Sequence, residues 1–236
     1  MARVASGLDC FREAGWERFR GARLGLLCNQ ASVDSGLRPA ARVVAEALPG
    51  RLRALFGPQH GYGGVDQDNM VETGHGFDSV LGVPIYSLYA DRREPLPGML
   101  EEIDVLMVDL QDVGTRVYTF ASTLLNCMRA AARSGRKVAV LDRPNPLGGD
   151  AVEGNLLAGD MQSFVGPARI PMRHGLTMGE MALYFKDALR IDVDLEVVRM
   201  AGWRREMLWK DTGLRWIMPS PNMPLPETAL VYPGQV

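Results

Sequence analysis

The feature that most constrains this chain is the run Val105-Leu106-Met107-Val108, which stops abruptly in Asp109, Gln111 and Asp112. It is uninterrupted by polar residues and short, which suits a strand buried on both faces of a parallel sheet. Gly114 then permits a tight turn, and Thr115 is placed to start a helix carrying Arg116 and Tyr118. Parallel neighbours need crossover connections, usually helical, so such a strand implies strands and helices in alternation along the chain.

That alternation is legible. Leu8, Phe11, Trp16 and Phe19 recur at roughly helical intervals until Gly21 breaks the pattern, and Leu24 to Cys28 reads as a first strand ending in Asn29-Gln30. Pro39 suits the first turn of a helix whose apolar residues Val43, Val44, Ala47 and Leu48 keep helical spacing up to Pro49-Gly50. Leu52 to Phe56 is a second strand, ending in Gly57-Pro58-Gln59-His60-Gly61. Residues 62–81 are polar and glycine-rich without a sustained period; a loop this long inside a compact domain is more often functional than idle, and it carries Asp66, Asp68, Glu72 and His75.

Pro84 to Leu88 reads as a third strand, and Pro95 and Pro97 introduce a brief helix before the Val105 run. The helix after that run is expected to reach about Arg133, where Ser134-Gly135 ends it. Lys137 to Leu141 is a fifth strand, ending in Asp142-Arg143-Pro144-Asn145-Pro146. Residues 147–175 read as irregular structure around Glu153 and His174. Thr177 and Glu180 stand in capping-box spacing before a helix through Leu189, and Leu195 to Val198 is a sixth strand.

The expected fold class is therefore α/β, a doubly wound and mostly parallel, Rossmann-like sheet. Residues 1–200 are assigned to this domain. Residues 201–236, with Trp203, Trp209, Trp216 and a proline-rich ending, are assigned to a linker and the beginning of a second, smaller domain that is truncated at Tyr232 to Val236 without a closing helix or strand. This division predicts exposed apolar surface on the chain, with Trp203, Trp209 or Trp216 as candidates to form part of it.

Composition excludes several classes of function. A formal net charge of −2 lacks the basic footprint of nucleic-acid binding, so no nucleic-acid partner is expected. Cys10, Cys28 and Cys127 are an odd number without a CxxC, which argues against a disulfide framework and a cysteine zinc site. The N-terminal residues lack an apolar h-region, and nowhere do about eighteen apolar residues run together, so no membrane contact is expected and the expected location is cytoplasmic. No GxGxxG follows the first strand, no GxxxxGK[ST] occurs, and no GxSxG elbow is present. His60-Gly61-Tyr62-Gly63-Gly64 fits either an anion-binding nest or a flexible turn. His60, His75 and His174 lack HExxH spacing, and Asp66-Gln67-Asp68 lacks the rest of an EF-hand loop, so neither metal nor cofactor is expected.

In open α/β sheets, ligands bind beyond the carboxyl ends of the strands. Four strand ends here carry polar clusters: Asn29-Gln30, Gln59-His60, Asp109 with Asp112, and Asp142-Arg143-Asn145. Each alone fits a turn. Together they place amides, carboxylates, a histidine and an arginine along one rim, which suits a hydroxyl-rich ligand.

The segments LLCNQAS, GPQHG, SLY, DVLMVDLQDVGTRVYTF, LDRPNPLGG, VEGN, SFVG, IPMRHGLTMGE and PSPNMPLPETALVYPG give the chain a resemblance, over nearly its whole length, to exo-acting β-N-acetylmuramidases, glycoside hydrolases of peptidoglycan recycling. The resemblance implies a Rossmann-like domain followed by a smaller one, a cleft between them, no redox cofactor, and a muramic-acid-containing saccharide as substrate. Such hydrolysis usually needs a protonated carboxyl at the leaving oxygen and a second group that attacks or activates water. In the family pattern the second strand typically ends in Glu-His-Gly, and that glutamate is the leading catalytic candidate. Here the triplet is Gln59-His60-Gly61, and a glutamine cannot exchange a catalytic proton as a carboxyl does.

The resemblance therefore implies Glu72 as the replacement carboxyl, with Asp112 or Asp109 as its partner. Sugar binding is expected from Asn29, Gln59, His60, Gln111, Arg116, Tyr118, Asp142, Arg143, Asn145 and His174, with Asn222 and Glu227 added from the C-terminal segment. The bland alternatives are a solvated loop charge for Glu72, structural roles for Asp109 and Asp142, and a loop anchor for His174. Two other functions stay open at this point: a non-catalytic sugar-binding protein, favoured by Gln59, and a sugar-phosphate or nucleotide-dependent enzyme using the same rim. Nothing in the sequence determines the oligomeric state or the stereochemical outcome.

Overall fold

Ser6 sets the start of helix α1 (Gly7–Glu13): its hydroxyl accepts the Asp9 amide at 3.2 Å while the Asp9 carboxylate accepts the Ser6 amide at 2.9 Å. The computed structural model describes residues 3–64, 72, 74–90 and 92–236, so Asp66 and Asp68 lie outside the described residues. After a short 3-10 turn (Gly15–Phe19) the chain enters β1 (Leu24–Cys28). Then follow α2 (Ala40–Ala47), β2 (Leu52–Gly57), β3 (Gly76–Asp78), β4 (Val83–Ser87), α3 (Pro97–Leu100) and β5 (Val105–Asp109). The remaining elements are α4 (Phe120–Arg133), β6 (Lys137–Leu141), α5 (Met178–Ala188), β7 (Leu195–Val198) and α6 (Pro226–Val231).

The strands form one sheet in the order β3-β4-β2-β1-β5-β6-β7, parallel throughout except for β3 against β4. The chain winds outward from β1 through β2 to β4, then returns to β5 beside β1 and winds the other way. The reversal falls between β1 and β5, where doubly wound sheets open a crevice. Period-two alternation explains why both sheet faces are apolar. Leu24, Leu26, Val105, Met107, Ala139 and Leu141 pack with Leu8 and Phe11 of α1 and Val43 and Val44 of α2. Their neighbours Leu27, Leu106, Val108, Val138 and Val140 pack on the opposite face with Leu124, Met128 and Phe185. The α/β, doubly wound architecture expected from the apolar runs is the one observed.

Three local expectations are corrected. Thr115 does not start a helix: its backbone bridges Arg173, the Arg116 amide donates to the Met172 carbonyl at 2.8 Å, and α4 begins only at Phe120. Arg116 and Tyr118 therefore lie in the turn before the helix, because pairing with a distant segment outweighs the local cap signal. Strand β3, inside the stretch read as loop, is three residues at a sheet edge, too short and exposed to leave an alternation. The C-terminal segment does contain a helix, α6, with Pro226 in its first turn.

Residues 201–236 lie across the C-terminal rim of the sheet. Ala201 bridges Ala5, the Val4 amide donates to the Thr212 carbonyl at 2.9 Å, and Met223 and Ala229 join the core beneath α4. The exposed apolar surface of this segment does not include the tryptophans. Trp209 is 6% exposed and packs edge-on against half-buried Trp216 at 4.9 Å, Trp216 Nε1 donates to the Met223 carbonyl at 2.9 Å, and Trp203 is half-buried. Burying these large rings against the rim removes more apolar area from water than display would. The exposed apolar side chains of this segment are Met218, Leu225, Leu230, Val231 and Val236. No helix among the described residues is long and apolar enough to cross a membrane.

Candidate active site

Two strand-end turns build the site. At the end of β2, a Cβ on Gly57 would come within 2.6 Å of the Tyr62 amide nitrogen, so the chain folds back tightly only because residue 57 is glycine. The Gly61 amide closes the turn on the Pro58 carbonyl at 3.0 Å. His60 is held at φ +69°, a left-handed conformation that is uncommon for a non-glycine residue and that concentrates at functional sites. Gln59 and His60 are both buried here. Beside them the Thr119 hydroxyl, one residue before α4, donates to Gln59 Oε1 at 2.7 Å.

The turn after β5 holds the carboxylates. Asp109 is fully buried and makes a two-point pair with Arg143, whose Nη2 donates to Oδ2 at 2.7 Å. Burial pushes the Asp109 carboxyl upward, and the Arg143 guanidinium opposes that shift. Arg143 Nη2 also donates to the Val33 carbonyl at 2.9 Å, so this pair ties β5 and β6 to the loop after β1. Asp112 Oδ2 accepts the Gly114 amide at 2.6 Å and faces His174 Nε2 at 3.2 Å. Because His174 Nδ1 accepts the Leu176 amide at 3.1 Å, the ring proton belongs on Nε2, which donates to Asp112. Asp112 Oδ1 is buried with no hydrogen-bond partner among the described residues, leaving this carboxylate spare acceptor capacity.

Several nominated side chains are taken up by the scaffold. Arg116 Nη1 donates to the carbonyls of Asn155 and Ile170, at 2.8 and 2.9 Å. Gln111 Nε2 serves the carbonyls of Asp112 and Pro144, Asn145 Nδ2 the Leu176 carbonyl, and Asn29 Nδ2 the Pro219 carbonyl. Asp142 accepts the Gly179 amide at 2.7 Å and the Thr177 hydroxyl at 3.0 Å, capping α5; burial pushes its carboxyl up to about 6.

Between the two turns opens a cleft of about 420 Å³. Of the nominated residues, Gln59, His60, Tyr118 and Asn222 line it. Burial pushes the Tyr118 phenol far upward and the Asp112 charge adds to that, so Tyr118 enters the cleft as a protonated hydroxyl. Glu72 and Glu227 are exposed and are not among the described residues lining the cleft. The described lining also includes Thr119, Tyr89, Phe164, Ser220 and Tyr232, none of which was nominated from sequence. Tyr89 follows the end of β4 and was findable by the strand-end rule; Phe164, Ser220 and Tyr232 arrive from distant segments and left no local signal. No Asp or Glu side chain is found among the described lining residues, and no group of three or more metal-ligating side chains occurs among the described residues. Aromatic rings with amide and hydroxyl groups suit a hydroxyl-rich ring ligand.

Residues 24–227 match the family described as Exo-beta-N-acetylmuramidase NamZ, N-terminal. The chain is 44% identical over 232 residues to the peptidoglycan beta-N-acetylmuramidase NamZ of Bacillus subtilis (strain 168), covering 98% of this chain and 56% of that protein. Two solved structures of DUF1343 family proteins from Bacteroides fragilis NCTC 9343 share its fold. One superposes with TM-score 0.91 at 40% identity, over 98% of this chain and 59% of the other. The second gives 0.83 at 29% identity, over 98% and 60%. The chain thus spans little more than half the length of these relatives.

Proposed function

We propose, from the premise that this chain belongs to the exo-beta-N-acetylmuramidase NamZ family, that its cleft binds β-linked N-acetylmuramic acid at the non-reducing end of a peptidoglycan fragment and takes part in its hydrolytic release. The observation that carries this reading is the cleft itself. It sits at the carboxyl ends of β2 and β5, where the family match is continuous, and combines Tyr89, Phe164 and Tyr232 with the polar groups of Gln59, His60, Tyr118, Thr119, Ser220 and Asn222. Aromatic faces stack on the apolar faces of sugar rings, and neutral hydrogen-bonding groups match their hydroxyls.

In this reading Glu72, which lies between β2 and β3 in the chain, supplies the acid or base, and Asp112, held by His174 and the Gly114 amide, is the partner carboxylate, although neither is among the described lining residues. Residues 201–236, expected to lead into a second domain, contribute Ser220, Asn222 and Tyr232 to the cleft lining, which supports a role for this segment in holding the sugar. The test is incubation with a disaccharide of N-acetylmuramic acid β-linked to N-acetylglucosamine, with both monosaccharides followed by chromatography. Release of both supports the assignment; an intact disaccharide opposes it.

A second reading, sugar binding without hydrolysis, is favoured by one observation. The described lining holds no carboxylate side chain, and Gln59 accepts the Thr119 hydroxyl where the family pattern has glutamate. Saturable binding of the disaccharide without product would select it.

A further inference from the structure

A second groove of about 340 Å³ runs beside the cleft, separated from it by Phe164, which lines both. Helix α4 builds one wall. Its first residue, Phe120, faces the cleft, while Leu125, Asn126 and Arg129 fall three, four and seven positions after Ser122 and so share one stripe of the helix with it. The other wall is the turn around residues 162–167, closed by reciprocal backbone bonds between Ser163 and Gly166 at 3.0 and 3.1 Å. The Ser122 hydroxyl donates to the Phe164 carbonyl and so fixes that turn against α4.

The charge of this groove differs from that of its surroundings. Arg129 is exposed along its wall and makes no ion pair among the described residues, and no Asp or Glu is among the described residues lining it. Arg93, stacked 3.4 Å from the Tyr89 ring centroid and 5.8 Å from that of Phe164, likewise has no described ion pair. Arg133, one turn further along α4, is by contrast neutralised by Glu94 at 2.7 Å. Two guanidinium groups with no ion pair among the described residues therefore lie near Phe164, and the exposed Gln162 and Ser163 add hydrogen-bonding groups. An arginine fork presented in a polar groove with no carboxylate among its described lining matches a carboxylate.

We propose that this groove is a subsite for a carboxylate-bearing substituent of the sugar held in the cleft, with Arg129 as its specificity-determining cation. The proposal rests on the saccharide reading given above. In a muramic-acid ligand the carboxylate has two sources, the free acid of the lactyl ether or the acids of a peptide attached to it.

Calorimetric titration of N-acetylglucosamine, N-acetylmuramic acid and N-acetylmuramyl dipeptide into wild type, Arg129→Gln and Arg129→Lys tests it. Arg129→Gln is expected to weaken one or both carboxylate ligands about fivefold, the upper range for an exposed ion pair, while N-acetylglucosamine is unchanged. Arg129→Lys keeps the charge and is expected to retain most of the preference. Whichever acid ligand loses affinity identifies the source. Equal affinity ratios in wild type and Arg129→Gln overturn the subsite and leave the saccharide reading standing. Failure of all three ligands to bind wild type overturns the saccharide reading, and the subsite with it. Arg129 is exposed and contributes no described hydrogen bond, so Arg129→Gln should fold normally, which circular dichroism checks.

Discussion

Gln59→Glu is the substitution that most directly probes the β2 turn. Gln59 is 7% exposed, and its Oε1 already accepts the Thr119 hydroxyl at 2.7 Å. Glutamate has the same shape and can keep that bond through one oxygen, while the amide nitrogen becomes a second oxygen able to carry a proton. If this position faces the scissile bond, the new carboxyl should raise turnover by about two to four powers of ten, the usual contribution of a positioned acid or base. That corresponds to about 3 to 5 kcal/mol off the barrier. The exchange removes the amide's donor capacity in a buried site, and about 1 to 3 kcal/mol of stability should be lost where a partner is left unpaired. Initial rates of N-acetylmuramic acid release, measured with thermal unfolding on the same samples, separate the two effects. Adding Thr119→Val should reduce the gain, because the bond that orients the side chain is lost. A folded Gln59→Glu protein with wild-type rate would refute the placement of residue 59 at the reacting bond.

Glu72→Gln should lower hydrolysis by about two to four powers of ten with little change in melting temperature, since the side chain is exposed; near-wild-type turnover would remove Glu72 from the mechanism. Asp142 has its carboxyl raised to about 6 from an ordinary 3.8, so the fold favours its protonated form: its stabilising contribution is full below about pH 4 and is lost as pH rises through 6, by about 3 kcal/mol at most. Asp142→Asn keeps an acceptor for the Gly179 amide and can donate to the Thr177 hydroxyl, so denaturant unfolding at pH 4 and pH 7 should show this pH-dependent loss in wild type and not in the variant. Trp209→Ala should cost about 3 to 5 kcal/mol in unfolding free energy, because the ring is buried against Trp216; a loss below about 1 kcal/mol would show that residues 201–236 are not packed as described.

Much of the fold is legible in the chain because a strand buried on both faces cannot hide its composition. Leu24–Cys28, Val105–Asp109 and Lys137–Leu141 are apolar along nearly their whole length, and Thr177 with Glu180 announces α5 through its own capping chemistry. Strand β3 left no such trace, since its three residues gain order from pairing with β4 rather than from burial. The candidate site was legible where a rim follows from topology: of the residues expected there, Gln59, His60 and Tyr118 line the cleft. It was not legible where roles depend on which atoms meet. Arg116, Asn145 and Gln111 carry chemistry suited to sugars, yet their donors serve backbone carbonyls of loops far away in sequence. Phe164, Ser220 and Tyr232 reach the cleft only because the segments around them fold across the rim.

The central claim, that this cleft acts on β-linked N-acetylmuramic acid, is tested most directly by parallel time courses on two disaccharides. One carries N-acetylmuramic acid at its non-reducing end; the other is the corresponding dimer of N-acetylglucosamine. The account predicts that wild-type chain splits the first into its monosaccharides, that Glu72→Gln does not, and that the second stays intact. Equal cleavage of both, or an intact first disaccharide after prolonged incubation with folded protein, would contradict it.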